Sequence, residues 1–154
     1  MAFVWAIVSG FVISIAKHKF NVGASDMPVR VEWYLEDRII WLHSSGVVTA
    51  EEAQGVDPEL VALFDQSSAE QVHVIVDNSE AERMPAPTAF MSLQWPKHPK
   101  LGWSVVYGEK RKMIKFITAT VAQLFKAHTR IVETFDEAVD ALQLLDPTLP
   151  KMDH

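Results

Sequence analysis

Residues able to do chemistry are present in this chain, but they are scattered rather than clustered. Six histidines stand at positions 18, 43, 73, 98, 128 and 154, and none forms a His-x-x-x-His pair or has metal-site spacing to a carboxylate. A helical metal site needs such ligands on one face, so the spacing predicts no metal and no cofactor. Cysteine is absent, which excludes thiol nucleophiles, disulfides and cysteine-ligated zinc or iron–sulfur centres. Ser44-Ser45-Gly46 lacks the flanking glycine of a nucleophile elbow and reads as a turn. Gly102 and Gly108 flank a strand and build no phosphate loop. Asp77 is different. It closes the most strand-like run of the chain, Gln71 to Asp77, and open α/β sheets hold ligands at the carboxyl ends of their strands. Asp77 is therefore a candidate, against the plainer reading that it caps the next loop through Asn78 and Ser79. His98 and His128, near strand ends, are further candidates, whereas His43 and His73 read as hydrogen-bonded core residues.

Two further patterns point to binding rather than catalysis. Lys97, Lys100, Lys110, Arg111, Lys112, Lys115, Lys126 and Arg130 form a basic band interrupted only by Glu109, in a chain of net charge -6. Such a band is either a solvated helix face or an electrostatic docking surface for an acidic protein, a phosphorylated ligand or anionic lipid. Arg111, Lys112, Lys115 and Lys126 are its candidate contacts. Trp95, with Met84, Phe90 and Met91, borders a loop and short helix where a lid over an apolar pocket would lie.

The elements that must position these residues follow from periodicity. Val29, Val31, Trp33 and Leu35 alternate with polar neighbours, so this run is a half-buried strand. Glu36-Asp37 turns the chain into a second strand, Arg38 to His43, ended by Ser44-Ser45-Gly46. Thr49 and Glu52 make a capping box, as do Thr134 and Glu137, and each predicts a helix start. Gly55 and Asp57-Pro58 predict a break in the first helix, with Asp57 capping a second piece. A loop spans Asn78 to Pro87, and a short helix opens at Pro87 or Thr88 and stops before Pro96. Gly102 to Tyr107 and Thr129 to Val132 are further strands. Between them Lys110 to Ala127 is a helix whose stripe of Met113, Ile114, Ile117, Val121, Leu124 and Phe125 is expected to face the sheet. Phe116 lies off this stripe, which predicts a dimer contact or cover by a neighbouring element.

With 154 residues, 49% hydrophobic and 22% charged, one globular domain is expected, and the negative charge argues against nucleic acid as partner. Residues 1–26 form an apolar leader, 27–150 the domain and 151–154 a polar tail. In the leader, Ala2 to Ala16 is short for a spanning helix and Lys17-His18-Lys19 follows it, the reverse of a secretory signal. It reads as an extension upstream of a true start at Met27 or as a short anchor. The expected location is the cytoplasm, or its membrane if residues 2–16 insert.

Strands joined by crossover helices make an α/β fold with a mixed, mostly parallel sheet of about five strands covered by about four helices. The order, with Val74-Ile75-Val76-Asp77, His98-Pro99 before Gly102 to Gly108, Lys115-Phe116-Ile117 to Lys126, and Glu133-Thr134 with Glu137-Ala138, resembles the SpoIIAA-like fold of STAS domains. It is similar in detail to bacterial STAS-like proteins. That resemblance implies a non-enzymatic regulatory or protein-interaction module in bacterial signalling, with a protein partner and a possible homodimer. Antagonists of this family carry an Asp-Ser pair, phosphorylated on serine, after the central strand. Here Met84-Pro85-Ala86-Pro87-Thr88 occupies that region, and only Thr88 or Ser79 could stand in. The alternative is a carrier of a small apolar molecule or lipid, its pocket under Met84 to Trp95.

Overall fold

The computed structural model describes residues 27–153, so the leader and His154 lie outside the described residues. Five strands, β1 (Val29–Leu35), β2 (Ile39–Val47), β3 (Val72–Arg83), β4 (Leu101–Tyr107) and β5 (Thr129–Ile131), form one sheet in chain order. β1 runs antiparallel to β2, and every other neighbouring pair is parallel. Among the described residues three helices accompany them: α1 (Ala50–Gln66), α2 (Lys112–Phe125) and α3 (Phe135–Leu145). The connection between β3 and β4 holds two 3-10 turns, Pro87–Phe90 and Trp95–Lys97, in place of the expected short helix.

Both capping boxes form as their spacing dictates. Thr49 accepts from the Glu52 amide while Glu52 accepts from the Thr49 amide, and Thr134 and Glu137 do the same. The predicted break at Pro58 does not occur. α1 buries Ala53, Val56, Leu60 and Phe64 along one face and leaves Pro58 exposed, so the backbone acceptor that loses its donor stays in water. Burial of four apolar residues outweighs a proline penalty of about 3 kcal/mol. Asp57 is thereby released from capping its own helix. Its carboxylate instead accepts from the amides of Gln94, at 2.9 and 3.0 Å, and Trp95, at 2.9 Å, and so ties the second 3-10 turn to α1.

Two strands outrun their expected ends. β2 continues through Ser44-Ser45-Gly46 to Val47, and β3 continues through Asn78 to Arg83, because each gives the other a parallel partner. The pairs Ser45 with Glu80 and Val47 with Arg83 persist across two irregularities in register. Gly108 closes β4 with φ +79°, and a Cβ there would lie 2.8 Å from the Ser79 backbone. Only glycine fits that approach.

The sheet separates two cores. On one face Ile39, Ile75, Val105 and Tyr107 pack against Ala138, Val139 and Leu142 of α3. The tail also reaches this core: Lys151 and Asp153 are exposed, but Leu149 and Met152 are buried in it. His73 crosses the layer. Its Nδ1 accepts from the Trp103 amide at 2.9 Å, which leaves Nε2–H to donate to Asp146 at 2.8 Å. Burial works against the Asp146 carboxylate, but hydrogen bonds from His73 and Thr148 outweigh it and hold the group at about 2. On the other face Ile40, Leu42, Val72 and Val74 meet α1 and the β3–β4 connection.

The Asp57 bridge gives the first test of this arrangement. Asp57→Ala should cost about 1–2 kcal/mol, the usual loss for an N-terminal cap. Urea unfolding should show a lower midpoint at unchanged slope, and an unaltered midpoint would mean that the bridge contributes nothing to stability.

Candidate functional site

Side chains alternate along a strand, so β3 sends Val74, Val76 and Asn78 to one face and His73, Ile75 and Asp77 to the other. The two faces carry different candidates.

On the α3 face, Asp77 is buried in the middle of β3 and not at its expected carboxyl end, because the strand runs on to Arg83. It accepts from His43 Nδ1 at 2.8 Å and from the Ser79 amide and hydroxyl at 2.9 and 2.6 Å. Burial opposes its charge, yet hydrogen bonds from His43, Ser79 and Tyr107 keep the carboxyl at about 2. The neighbouring Tyr107 hydroxyl is pushed up, first by burial and then by its hydrogen bond to Asp77. His43 Nε2 is buried without a hydrogen-bond partner and lies 3.7 Å from the exposed Glu80 carboxylate. Asp77 and Ser79, nominated from the sequence, are thus brought together, and Ser79 further shares a shallow concavity with Glu80, Lys110 and Arg111.

On the opposite face lies an apolar cavity of about 130 Å³. Leu42, Val76 and Val106 form its floor on the sheet, and Ala53 and Val56 of α1 one wall. Met84, Phe90, Leu93 and Trp95 close a second side, as expected for a pocket under that segment, and Ile117, Val121 and Phe125 of α2 roof it. Trp95 is the one nominated residue in its lining. Polar groups enter it at Ser44, Asn78, Ser104, Thr118 and Thr129.

Glu109 holds the roof to the sheet. It is buried at the start of the β4–α2 connection and accepts from Asn78 Nδ2 at 3.0 Å and from the Thr118 hydroxyl of α2. Burial raises its pKa, and the two hydrogen bonds and the charge of Lys115 only partly offset this. Asn78 Oδ1, Ser104 Oγ and Glu109 Oε1 are buried without a hydrogen-bond partner. Neither Asn78 nor Glu109 was nominated from the sequence. The signal was the position of Glu109 as the one acid in a basic run.

α2 departs from its expected orientation. Ile114 and Ile117 are buried, but Met113 and Leu124, expected to face the sheet, are 68% and 46% exposed. At about 100° per residue these two lie to one side of Ile117, with Phe116 beyond them. The apolar arc is wider than the surface available to cover it. Phe116 is 63% exposed, so no element among the described residues covers it. Arg111, Lys112, Lys115 and Lys126 are exposed on the same helix or its ends. Lys126 ends it in the left-handed conformation, φ 52°.

The other nominated residues sit apart. His98 is latched, Nε2 to Asp65 at 2.8 Å and Nδ1 accepting from the Lys100 amide, with its ring stacked on Phe64. Thr88 is exposed on the first 3-10 turn. The basic band is divided: Lys97 and Lys100 donate to the carbonyls of Met91 and Ser67, and Arg130 lies over Trp103. Among the described residues no group of three or more His, Asp or Glu could hold a metal, and no helix is long and apolar enough to cross a membrane.

The ionisable pairs set opposite pH dependences. The Asp77 carboxyl, held at about 2 against its ordinary 3.8, stabilises the fold above pH 4 and loses that contribution as pH falls towards 2. Asp77→Asn should therefore cost about 2 kcal/mol at pH 7 and almost nothing relative to the parent at pH 2. Glu109 has the reverse sign, its native pKa lying above the unfolded one, so its contribution is lost as pH rises. Glu109→Gln keeps a neutral group there and should gain stability over the parent at pH 8 compared with pH 4. Urea unfolding across pH checks both, and parallel profiles for parent and variants would contradict the assignments.

No protein-family model matches the sequence, and no curated protein matches it. Solved structures do. An uncharacterised protein of the DUF3478 family with a SpoIIAA-like fold, from Shewanella loihica PV-4, is 14% identical with TM-score 0.55 over 74% of this chain and 91% of its own. The Bacillus cell fate determinant SpoIIAA in its phosphorylated form is 10% identical, TM-score 0.51, over 74% and 98%. The anti-sigma factor antagonist SpoIIAA in its unphosphorylated form is 12% identical, TM-score 0.52, over 75% and 97%. The five-stranded sheet, its strand directions and its flanking helices are those of the SpoIIAA-like, or STAS, fold.

Proposed function

We propose that this chain is a non-enzymatic regulatory module that binds an acidic protein partner through the outer face of α2. The observation that carries this is the exposure of Met113, Phe116 and Leu124 on one helix that also bears Lys112 and Lys115, in a chain of net charge -6. Large apolar side chains gathered on one surface mark association sites, and flanking cations select the sign of the partner. The similarity to an anti-sigma factor antagonist supports a regulatory role of this kind. A phosphoswitch has less support. The Ser79 hydroxyl is engaged with Asp77, which leaves the exposed Thr88 as the accessible hydroxyl of the two nominated.

Screening reaches about 8 Å at physiological ionic strength and less above it, so salt should weaken the complex. Lys112→Glu with Lys115→Glu should weaken it further without unfolding the domain, and Phe116→Asp should abolish it. Sedimentation of the purified chain separates the other occupant of this face: a homodimer that Phe116→Asp dissociates would replace the acidic partner with a second copy. A complex indifferent to salt and to all three substitutions would move the docking surface off α2.

The cavity favours a second reading, a carrier for a small apolar molecule, because its volume is close to that of engineered cavities that bind benzene.

A further inference from the structure

The cavity is more particular than an apolar hole. Its lining is mostly hydrocarbon, yet two of its residues, Asn78 and Ser104, are each only 4% exposed and carry an oxygen with no hydrogen-bond partner. A buried polar atom left unpaired costs about 1–3 kcal/mol, so native interiors rarely keep one without a reason. The chemistry of the two oxygens limits what could pair with them. Asn78 donates its amide N–H to Glu109, so the atom left over, Oδ1, can only accept. Ser104 Oγ can donate or accept. A carboxylate or phosphate, which only accepts, cannot pair with Asn78 Oδ1 and would lose its hydration among Leu42, Val76, Val106 and Ile117. A hydroxyl suits either residue.

Size sets the second limit. Ser104 pairs in register with Val74, and Asn78 lies four residues further along β3, about 13 Å away at 3.3 Å per residue. A cavity of about 130 Å³ holds a single ring or a short chain, so its occupant reaches one polar end and not both.

We infer that the cavity between the sheet and α2 is a binding site for a small uncharged molecule, one ring or an equivalent short chain, whose hydroxyl pairs with Ser104 or Asn78. This rests on the carrier reading above and names its ligand class. Its test does not require that the outside of α2 be a docking face.

Phenol, toluene and benzoate separate the terms. Binding is read at neutral pH from methyl resonances of Leu42, Val76, Val106 and Ile117 in the full chain. Phenol should shift these methyls and bind about five-fold tighter than toluene, the ratio expected of one net hydrogen bond. Benzoate should not bind. Ala122→Trp places bulk in the lining and should abolish binding of both neutral probes, and Ala122→Leu, a smaller intrusion, should weaken both if the tryptophan variant fails to fold. Loss of the phenol advantage in Ser104→Ala assigns the hydroxyl to Ser104. Its persistence, with a phenol-dependent shift of the Asn78 side-chain amide, assigns it to Asn78. If neither neutral probe moves the cavity methyls, this inference and the carrier reading both fail. If toluene binds as tightly as phenol, or benzoate matches it, the carrier reading survives and the hydroxyl site is overturned.

Discussion

The alternation of side chains along β3 is the constraint on which the rest of the molecule depends. This strand has a parallel partner on each side, so it cannot turn over without breaking both ladders. A shift of one residue would exchange the two faces outright. His73, Ile75 and Asp77 would leave their partners in Asp146, α3 and His43, and Val76 and Asn78 would leave the cavity. The start and the middle of the strand are pinned by polar contacts that hydrophobic packing alone would not specify. His73 reads the Trp103 amide on one side and Asp146 on the other, while Asp77 gathers His43, Ser79 and Tyr107. Gly102 and Gly108 make room at those points: a Cβ at Gly102 would lie 2.5 Å from the His73 ring, and one at Gly108 would strike Ser79.

The two faces of the sheet are then covered by different physical means. α3 contributes Ala138, Val139 and Leu142 to a closed core, with small residues that allow close approach. α2 is held differently. Its inward side chains Ile117, Val121 and Phe125 look across a cavity, and its link to the sheet includes the buried carboxylate of Glu109, which joins Thr118 to Asn78. A charge buried in this way is a weak source of stability but a sharp source of position, because removing either donor leaves the carboxylate less satisfied. The helix that looks across the cavity also presents Met113, Phe116 and Leu124 to solvent.

Local signals in the sequence were legible and long-range ones were not. Thr49 with Glu52 and Thr134 with Glu137 act within four residues, so the starts of α1 and α3 could be read directly. The continuation of β2 past Ser44 and of β3 past Asn78 could not, since those polar residues stay extended only because each strand supplies the ladder of the other. Pro58 misled for a related reason: its penalty is local, while the burial of Leu60 and Phe64 that overrides it comes from the sheet. At the site, Trp95 was legible from its place in the segment over the pocket. Asn78 and Glu109 were hidden, one as a turn former and the other as an acid in a basic run, because their importance lies in a contact across 31 positions of sequence.

Placing a cavity on one side of α2 and exposed Met113, Phe116 and Leu124 on the other has a thermodynamic consequence. The helix is a single rigid element, so a molecule that shifts it from within changes the surface it offers outside. Coupling of that kind is reciprocal: an occupant that favours one seating of α2 raises affinity for a partner that favours the same seating, and by the same factor. Its size is bounded by how differently each binds the two seatings, and an occupant that fits both equally transmits nothing. Glu109 sits where such a difference would arise. Its hydrogen bonds to Asn78 and Thr118 are the polar tie between sheet and helix, and Asn78 is also one of the cavity residues with an oxygen to spare. An occupant that paired with Asn78 Oδ1 would therefore act on the same amide that positions the helix.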